Sequence, residues 1–213
     1  MNGYGSVGCA CGEATHSSRF IVLTGGPGAG KTAVLESLKR TLCEHIAIIP
    51  ESASIVFGGG FWRRESLAGR RAAQRAIYHV QTELETLVSE ESRTAVALCD
   101  RGALDGIAYW PGPEATYFEE LGVTKVQLLR RYELVIHLRT PSAANGYNHA
   151  NPIRVETAAE ARAIDDRILT AWEGHPRRLV IESRPDFLEK AAEVIATVRS
   201  VLPSCCRAHP TRS

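Results

Sequence analysis

The stretch Phe20-Ile-Val-Leu-Thr-Gly25-Gly26-Pro27-Gly28-Ala29-Gly30-Lys31-Thr32-Ala33 decides the fold. An apolar strand runs into a loop that satisfies G-x-x-x-x-G-K-[ST] at every fixed position. Val34, Leu35, Leu38 and Leu42 then recur at helical spacing, so the loop joins a strand to a helix. Glycines belong there because the backbone must turn tightly and aim successive N–H groups inward, where a β-carbon would stand in the way of phosphates. Gly25 through Ala33 would wrap the nucleotide, Lys31 would neutralise the β and γ phosphates, and the helix N-terminus would add a favourable dipole. Thr32 is the first candidate ligand of Mg²⁺, through its hydroxyl, so ATP and Mg²⁺ are the expected cofactors.

Working outward, four more short apolar runs follow: Ile46–Ile49, Ala95–Cys99, Leu134–Leu138 and Leu179–Ile181. Five strands separated by helical patterns predict an α/β/α sandwich around a parallel sheet covered on both faces. The longest helix is expected over Leu67–Glu91, with Ala73, Ile77, Val80, Leu84 and Leu87 on the face against the sheet. Residues 1–18 and 203–213 are rich in Gly, Ser or Cys without periodicity and read as tails, leaving one domain over 19–202. Gly58-Gly59-Gly60 and the stretch Pro141 to Pro152 interrupt the pattern as candidate moving loops, with a lid over about 140–165.

Composition narrows the function classes. A chain of 213 residues with 44% apolar and 23% charged residues suits one packed α/β core rather than a disordered or fibrous chain. Lys and Arg total 25 against 24 Asp and Glu, a net charge of +1, which offers no overall basic field for nucleic acid or an anionic membrane. No apolar run reaches the roughly 18 residues a membrane span requires. The cysteines Cys9, Cys11, Cys43, Cys99, Cys205 and Cys206 are too sparse for a disulfide framework and lack the usual zinc spacing. Residues 1–18 hold neither Lys nor Arg and no apolar stretch, so no secretory signal is expected, and a reducing, cytoplasmic location follows.

Chemistry-bearing residues collect after the strands, at the edge where open α/β sheets bind ligands. Asp100 ends the third strand and is the second candidate Mg²⁺ ligand; Arg101 and Asp105 follow it. Glu51 stands after the second strand, where it can hold an acceptor hydroxyl in line or take its proton, with Asp100 as the rival base. Arg154, Arg162 and Arg167 cluster after the lid, on or near a helix expected from Val155 to Trp172, and one of them would close over the phosphates. Phe61, Trp62, Arg63 and Arg64 offer rings and cations for an acceptor, although core anchoring of the two aromatics competes with that reading. Gln74 and Gln81 lie to one side of the apolar face of the long helix and suit an amide that reads a ring edge.

With these residues in place the chain resembles the AAA-type P-loop domains grouped with ribosylnicotinamide kinase and with a phosphoinositide- and GTP-binding protein of photoreceptor trafficking. The resemblance covers 19–200 and rests on the phosphate loop, Pro50-Glu-Ser-Ala53, Cys99-Asp-Arg-Gly102, Val135-Ile-His-Leu-Arg-Thr-Pro141, Asn151-Pro-Ile-Arg154 and Arg162-x-x-Asp165. More distantly the chain is similar to deoxynucleoside and thymidylate kinases. That similarity implies the sheet order 2-3-1-4-5, an acid after the second strand (Glu51), an Asp-Arg pair after the third (Asp100, Arg101), and lid arginines (Arg154, Arg162). It departs from the pattern in having no arginine between Thr140 and Pro152. A kinase for a small acceptor, a nucleoside or a riboside, is thus expected. The alternative is a nucleotide-dependent regulatory ATPase or GTPase switch acting on a protein or lipid partner.

Overall fold

The computed structural model describes residues 16–41, 45–141, 157–184 and 186–203. Five strands, β1 (Arg19–Thr24), β2 (Ile46–Ile49), β3 (Val96–Asp100), β4 (Leu134–Leu138) and β5 (Arg178–Ile181), form one sheet in the order β2-β3-β1-β4-β5. Every pairing is parallel, with Leu23 beside Asp100 and Ile136 on either flank of β1. The expected order is therefore found.

Strand residues alternate between two cores, as the two-residue period of a strand dictates. Ile21, Leu23, Leu98 and Ile136 face helices α1 (Lys31–Thr41) and α7 (Phe187–Val201), packing on Val34, Leu38, Val194 and Val198. Val22, Ala97, Cys99 and Val135 face the opposite layer, where Tyr78 of α3 (Leu67–Glu91), Tyr117 of α4 (Glu114–Leu121) and Leu128 of α5 (Lys125–Arg130) pack with Ile168 and Trp172. Ile168 lies on α6 (Ala158–Ala171) and Trp172 caps its end. The short helix α2 (Ser52–Gly58) and a 3₁₀ segment (Ala103–Tyr109) complete the edge that carries the loops. Among the described residues no helix is long and apolar enough to cross a membrane.

The long helix has the expected ends but only part of the expected face: Ala73 is buried and Leu84 packs against the second core, yet polar residues also turn inward. Its buried residues are Ala73, Tyr78, Gln81 and Glu85, while Leu87 is 51% exposed. The reason is a satisfied polar network. Glu85 accepts hydrogen bonds from Gln81 (2.9 Å), the Tyr132 hydroxyl (2.8 Å) and Arg131 (2.6 and 2.9 Å), and Ser52 donates to Gln81 (2.8 Å). A buried carboxylate with this many donors no longer carries the cost of an orphaned charge, so a polar stripe can turn inward.

Helix α6 starts at Ala158 because Thr157 and Glu160 form a reciprocal capping box, and it ends at Ala171 with Trp172 as its cap. Arg154 and most of the expected lid lie outside the described residues, as do Cys9, Cys11, Cys43, Cys205 and Cys206. Cys99 is a buried free thiol in the second core.

Candidate active site

The phosphate loop takes its shape from close packing. Gly25 has φ +135°, and a β-carbon there would stand 2.1 Å from the Leu138 carbonyl oxygen. Gly26 is pressed equally hard against α6: its β-carbon would meet Asp165 at 2.7 Å and the Ala161 carbonyl at 2.9 Å. The loop therefore lies flush on α6 and on the end of β4.

Polar bonds fix this contact. The fully buried Asp165 accepts from Gly26 N–H (2.7 Å), from His137 Nε2 (2.9 Å) and from Thr140 N–H (3.2 Å). Arg139 Nη1 stands 3.0 Å from the same carboxylate, at ion-pair distance without the alignment of a hydrogen bond. Burial alone would raise the Asp165 carboxyl; the His137 contact and the backbone donors overcome it and hold it below its ordinary range. From the other side the buried Lys190 donates to the carbonyls of Ala29 (3.1 Å) and Arg139 (2.7 Å).

Lys31 is buried and donates to the carbonyls of Gly25 (2.9 Å) and Gly26 (3.1 Å). Its ammonium is pushed down to about 7, first by desolvation and then by the Arg101 guanidinium, against the pull of Asp100, Asp105 and Glu51. A polyphosphate would supply the opposite charge this group lacks.

Asp100 fits a metal-linked role on a separate observation. Its Oδ1 is buried and has no hydrogen-bond partner among the described residues. Burial raises its carboxyl, with Glu51 and Asp105 adding to the rise and Lys31 and Arg101 opposing it. Thr32 is exposed in the first turn of α1. No cluster of three or more metal-binding side chains occurs among the described residues.

Arg101 is the hub of a second polar cluster. Its Nε donates to Glu51 Oε1 at 2.6 Å, and its Nη1 reaches the Gly25 carbonyl (3.2 Å) and Asp105 Oδ2 (3.3 Å). Its backbone has φ +74°, the left-handed region that a non-glycine residue occupies at a cost, and its N–H is bonded to Leu23 O at 3.1 Å. Asp105 in turn accepts from Thr24 (2.6 Å) and from the Trp172 indole (2.6 Å), tying β1 and the end of α6 to the same guanidinium. Burial works to raise the Glu51 carboxyl, but Arg101 and the Ser54 hydroxyl outweigh it and leave it below its ordinary value.

These groups open onto a cleft of about 490 Å³ lined at one side by Pro27, Glu51, Arg101 and Asp105 and elsewhere by Phe57, Arg63, Arg64, Arg70, Gln74 and Gln81. Core anchoring of Phe61 and Trp62 is not what the structure shows: they follow the triglycine turn and are exposed, Trp62 by 72%, and neither lines this cleft. Arg162 is exposed on α6 beside Ala161, the residue whose carbonyl abuts Gly26. Arg167 points elsewhere, donating to the Ala108 carbonyl at 2.8 Å. In the turn after β5, Ser183 has a buried hydroxyl without a partner among the described residues, and Pro185 lies outside them.

Sequence reasoning missed three of the residues that shape the site: His137, Lys190 and the structural part played by Asp165. An apolar strand holding a single histidine and a helix holding a lysine gave no periodic signal. The only clue to Asp165 was its spacing of three from Arg162.

No curated protein sequence matches the chain. Among solved structures the chain is similar to thymidylate kinase from Candida albicans, at 12% identity and a TM-score of 0.58, with 86% of this chain and 93% of that one covered. At that identity the likeness speaks for the fold, a five-stranded parallel sheet with flanking helices of the P-loop type. The model of the AAA domain family matches residues 20–190, from the strand before the phosphate loop to the buried Lys190, and the chain belongs to that family.

Proposed function

We propose that the chain is a small-molecule kinase that transfers the γ-phosphoryl group of Mg-ATP to a hydroxyl of a nucleoside-like acceptor. The observation that carries this reading is the Glu51–Arg101 pair at 2.6 Å, set in a cleft that also touches Pro27 of the phosphate loop. A switch needs a phosphate loop and a metal ligand, but it has no use for a carboxylate and a guanidinium facing a cleft wide enough for a second molecule.

The geometry supports the following roles. Gly28 to Ala33 would hold the phosphates, the Gly26 N–H being taken by Asp165, and Lys31 would leave its loop carbonyls to reach them. Thr32 and Asp100 would hold Mg²⁺, which would supply positive charge to offset that of the phosphates. Glu51 keeps Oε1 on Arg101 and Oε2 on the Ser54 hydroxyl, which an acceptor hydroxyl would join or displace, and a carboxylate held down by a guanidinium is a weak base. Its task is therefore to align the acceptor hydroxyl and to receive the proton late, as the new P–O bond forms. Products are ADP, the phosphorylated acceptor and one proton. Arg162, on the helix packed against Gly26, or Arg154 would complete the cation set over the γ-phosphoryl.

The test is ADP release from Mg-ATP in the presence of a small-metabolite pool, with mass spectrometry of the phosphorylated product. Glu51→Gln should cut acceptor phosphorylation by about 10² to 10⁴ and leave nucleotide binding nearly intact. ADP release that no small molecule stimulates, and that a protein or lipid does, would sink the kinase reading in favour of a regulatory ATPase.

A further inference from the structure

Three arginines line the acceptor cleft, Arg63, Arg64 and Arg70, and among the described residues none of them is paired with a carboxylate. This is not the habit of the surrounding chain. Arg71 and Arg75, on the same helix as Arg70, both bond Glu120, and Arg131 and Arg101 are bound to Glu85 and Glu51. Glu65 lines the same part of the cleft without an ion pair to any of the three among the described residues.

Two of the guanidiniums are held by stacking. Arg63 lies over the Phe57 ring with its central carbon 4.1 Å from the centroid, and Arg64 lies over Trp62 at 5.0 Å. Stacking occupies the faces of a guanidinium and leaves its N–H edge free, so each is pre-oriented for an anion in its own plane. The close approach of the Arg64 β-carbon to Gly69 seats it at the first turn of α3, next to Arg70, in a turn that contains no acid. Position separates this set from the reacting end. Glu51 precedes α2 and Phe57 lies in its last turn, so roughly 9 Å of helix divides the carboxylate that aligns a hydroxyl from the ring that carries Arg63.

We infer that the acceptor is an acid: a hydroxyl-bearing small molecule with a carboxylate or phosphate on the side remote from the accepting hydroxyl, recognised by Arg63, Arg64 and Arg70. The inference rests on the kinase reading for the place of the hydroxyl, not for the anion site. All three are exposed at the cleft mouth, so a neutral nucleoside would leave their N–H edges to water, whereas an acid would use them. A nucleoside 5′-monophosphate would put its charge at the wrong end, beside Glu51.

Binding reports the site directly. Trp62 is exposed, whereas the other two tryptophans, Trp110 and Trp172, are buried, so an added ligand changes the emission chiefly through Trp62. Two matched pairs separate the sources of the charge: orotidine with uridine for a carboxylate, adenosine 3′-monophosphate with adenosine for a phosphate, all sharing a free 5′-hydroxyl. In at least one pair the acid should bind about tenfold tighter or more, the worth of one or two charge-assisted hydrogen bonds. Arg70→Gln, or Arg63→Gln with Arg64→Gln, should erase that preference at an unchanged melting temperature. Equal affinity within both pairs, no binding by any of the four, a preference that survives both variants, or tighter binding of the 5′-monophosphates would each overturn the proposal. An acid preference without any phosphorylated product would keep the anion site and remove the kinase reading.

Discussion

The two halves of the cleft are built by opposite means. Around the phosphate loop a few polar groups fix the backbone: Asp165 holds Gly26, Lys190 holds Ala29, and Lys31 holds Gly25 and Gly26. Across the cleft the α2–α3 segment exposes Trp62 and presents arginines that bond no carboxylate among the described residues. The first half is a pre-formed cradle of backbone, where recognition is the same for any polyphosphate. The second is made of side chains, where the proposed acceptor would be selected. Rigidity on one side and spare hydrogen-bonding capacity on the other are what a transferase needs, since it must pin the donor and choose the acceptor.

The contrast is broken most severely at Asp165. Removing this carboxylate leaves Gly26 N–H, Thr140 N–H and the His137 ring without their shared acceptor inside the protein. Asp165→Ala should cost about 3 to 5 kcal/mol, the usual penalty for breaking a buried charged network. Urea unfolding measures it, and a loss under about 1 kcal/mol would mean that the loop does not depend on α6.

Next in size is Lys31→Ala. For wild type at a hundredfold excess of Mg-ATP over Kd, linkage gives about 2.7 kcal/mol. For a chain of this length that is a melting shift of roughly 5 to 10 °C. The variant should lose most of it, and an unchanged shift would place the nucleotide elsewhere. Arg162→Ala bears on how the halves close together. If it clamps charge that develops only in transfer, kcat should fall about 10² while ATP affinity barely moves. A change of less than a few-fold would leave Arg154 or a partner in trans as the clamp.

The same contrast explains what was legible. The loop, the five strands, their alternation and the extent of Leu67–Glu91 are local patterns, and periodicity reads local patterns. Glu51, Asp100 and Arg101 were legible because strand ends on one sheet edge converge whatever else the chain does. The face of α3 was not, because Gln81 and Glu85 find their partners 29 and 46 residues away, and a hydropathy pattern counts a glutamate as surface until its arginine is seen. Lys190 was hidden for the same reason: its partners Ala29 and Arg139 lie 161 and 51 residues distant. Which way Phe61 and Trp62 point depended on the Gly58–Gly60 turn, whose freedom a sequence does not resolve.

The smallest effect sharpens the comparison through protons. Lys31 sits at about 7 in the ligand-free fold, against 10.5 for an ordinary lysine, because it is desolvated among carbonyls and faces Arg101. Two consequences have definite sign. Between about 7 and 10.5 the unfolded chain binds more protons at this residue than the folded one, so Lys31 makes stability rise with pH across that window. Polyphosphate places negative charge beside the same ammonium and restores its proton affinity, so at pH 8 nucleotide binding should take up a fraction of a proton. Calorimetry in two buffers of different ionisation enthalpy reads that uptake. It should vanish in Lys31→Met, which keeps the length of the side chain and removes the titrating group. It should be unaltered in Arg70→Gln, whose charge faces the other half of the cleft. Proton release in place of uptake, or uptake that persists in Lys31→Met, would show that the lysine is already charged in its carbonyl nest and that the donor half is set electrostatically before any nucleotide arrives.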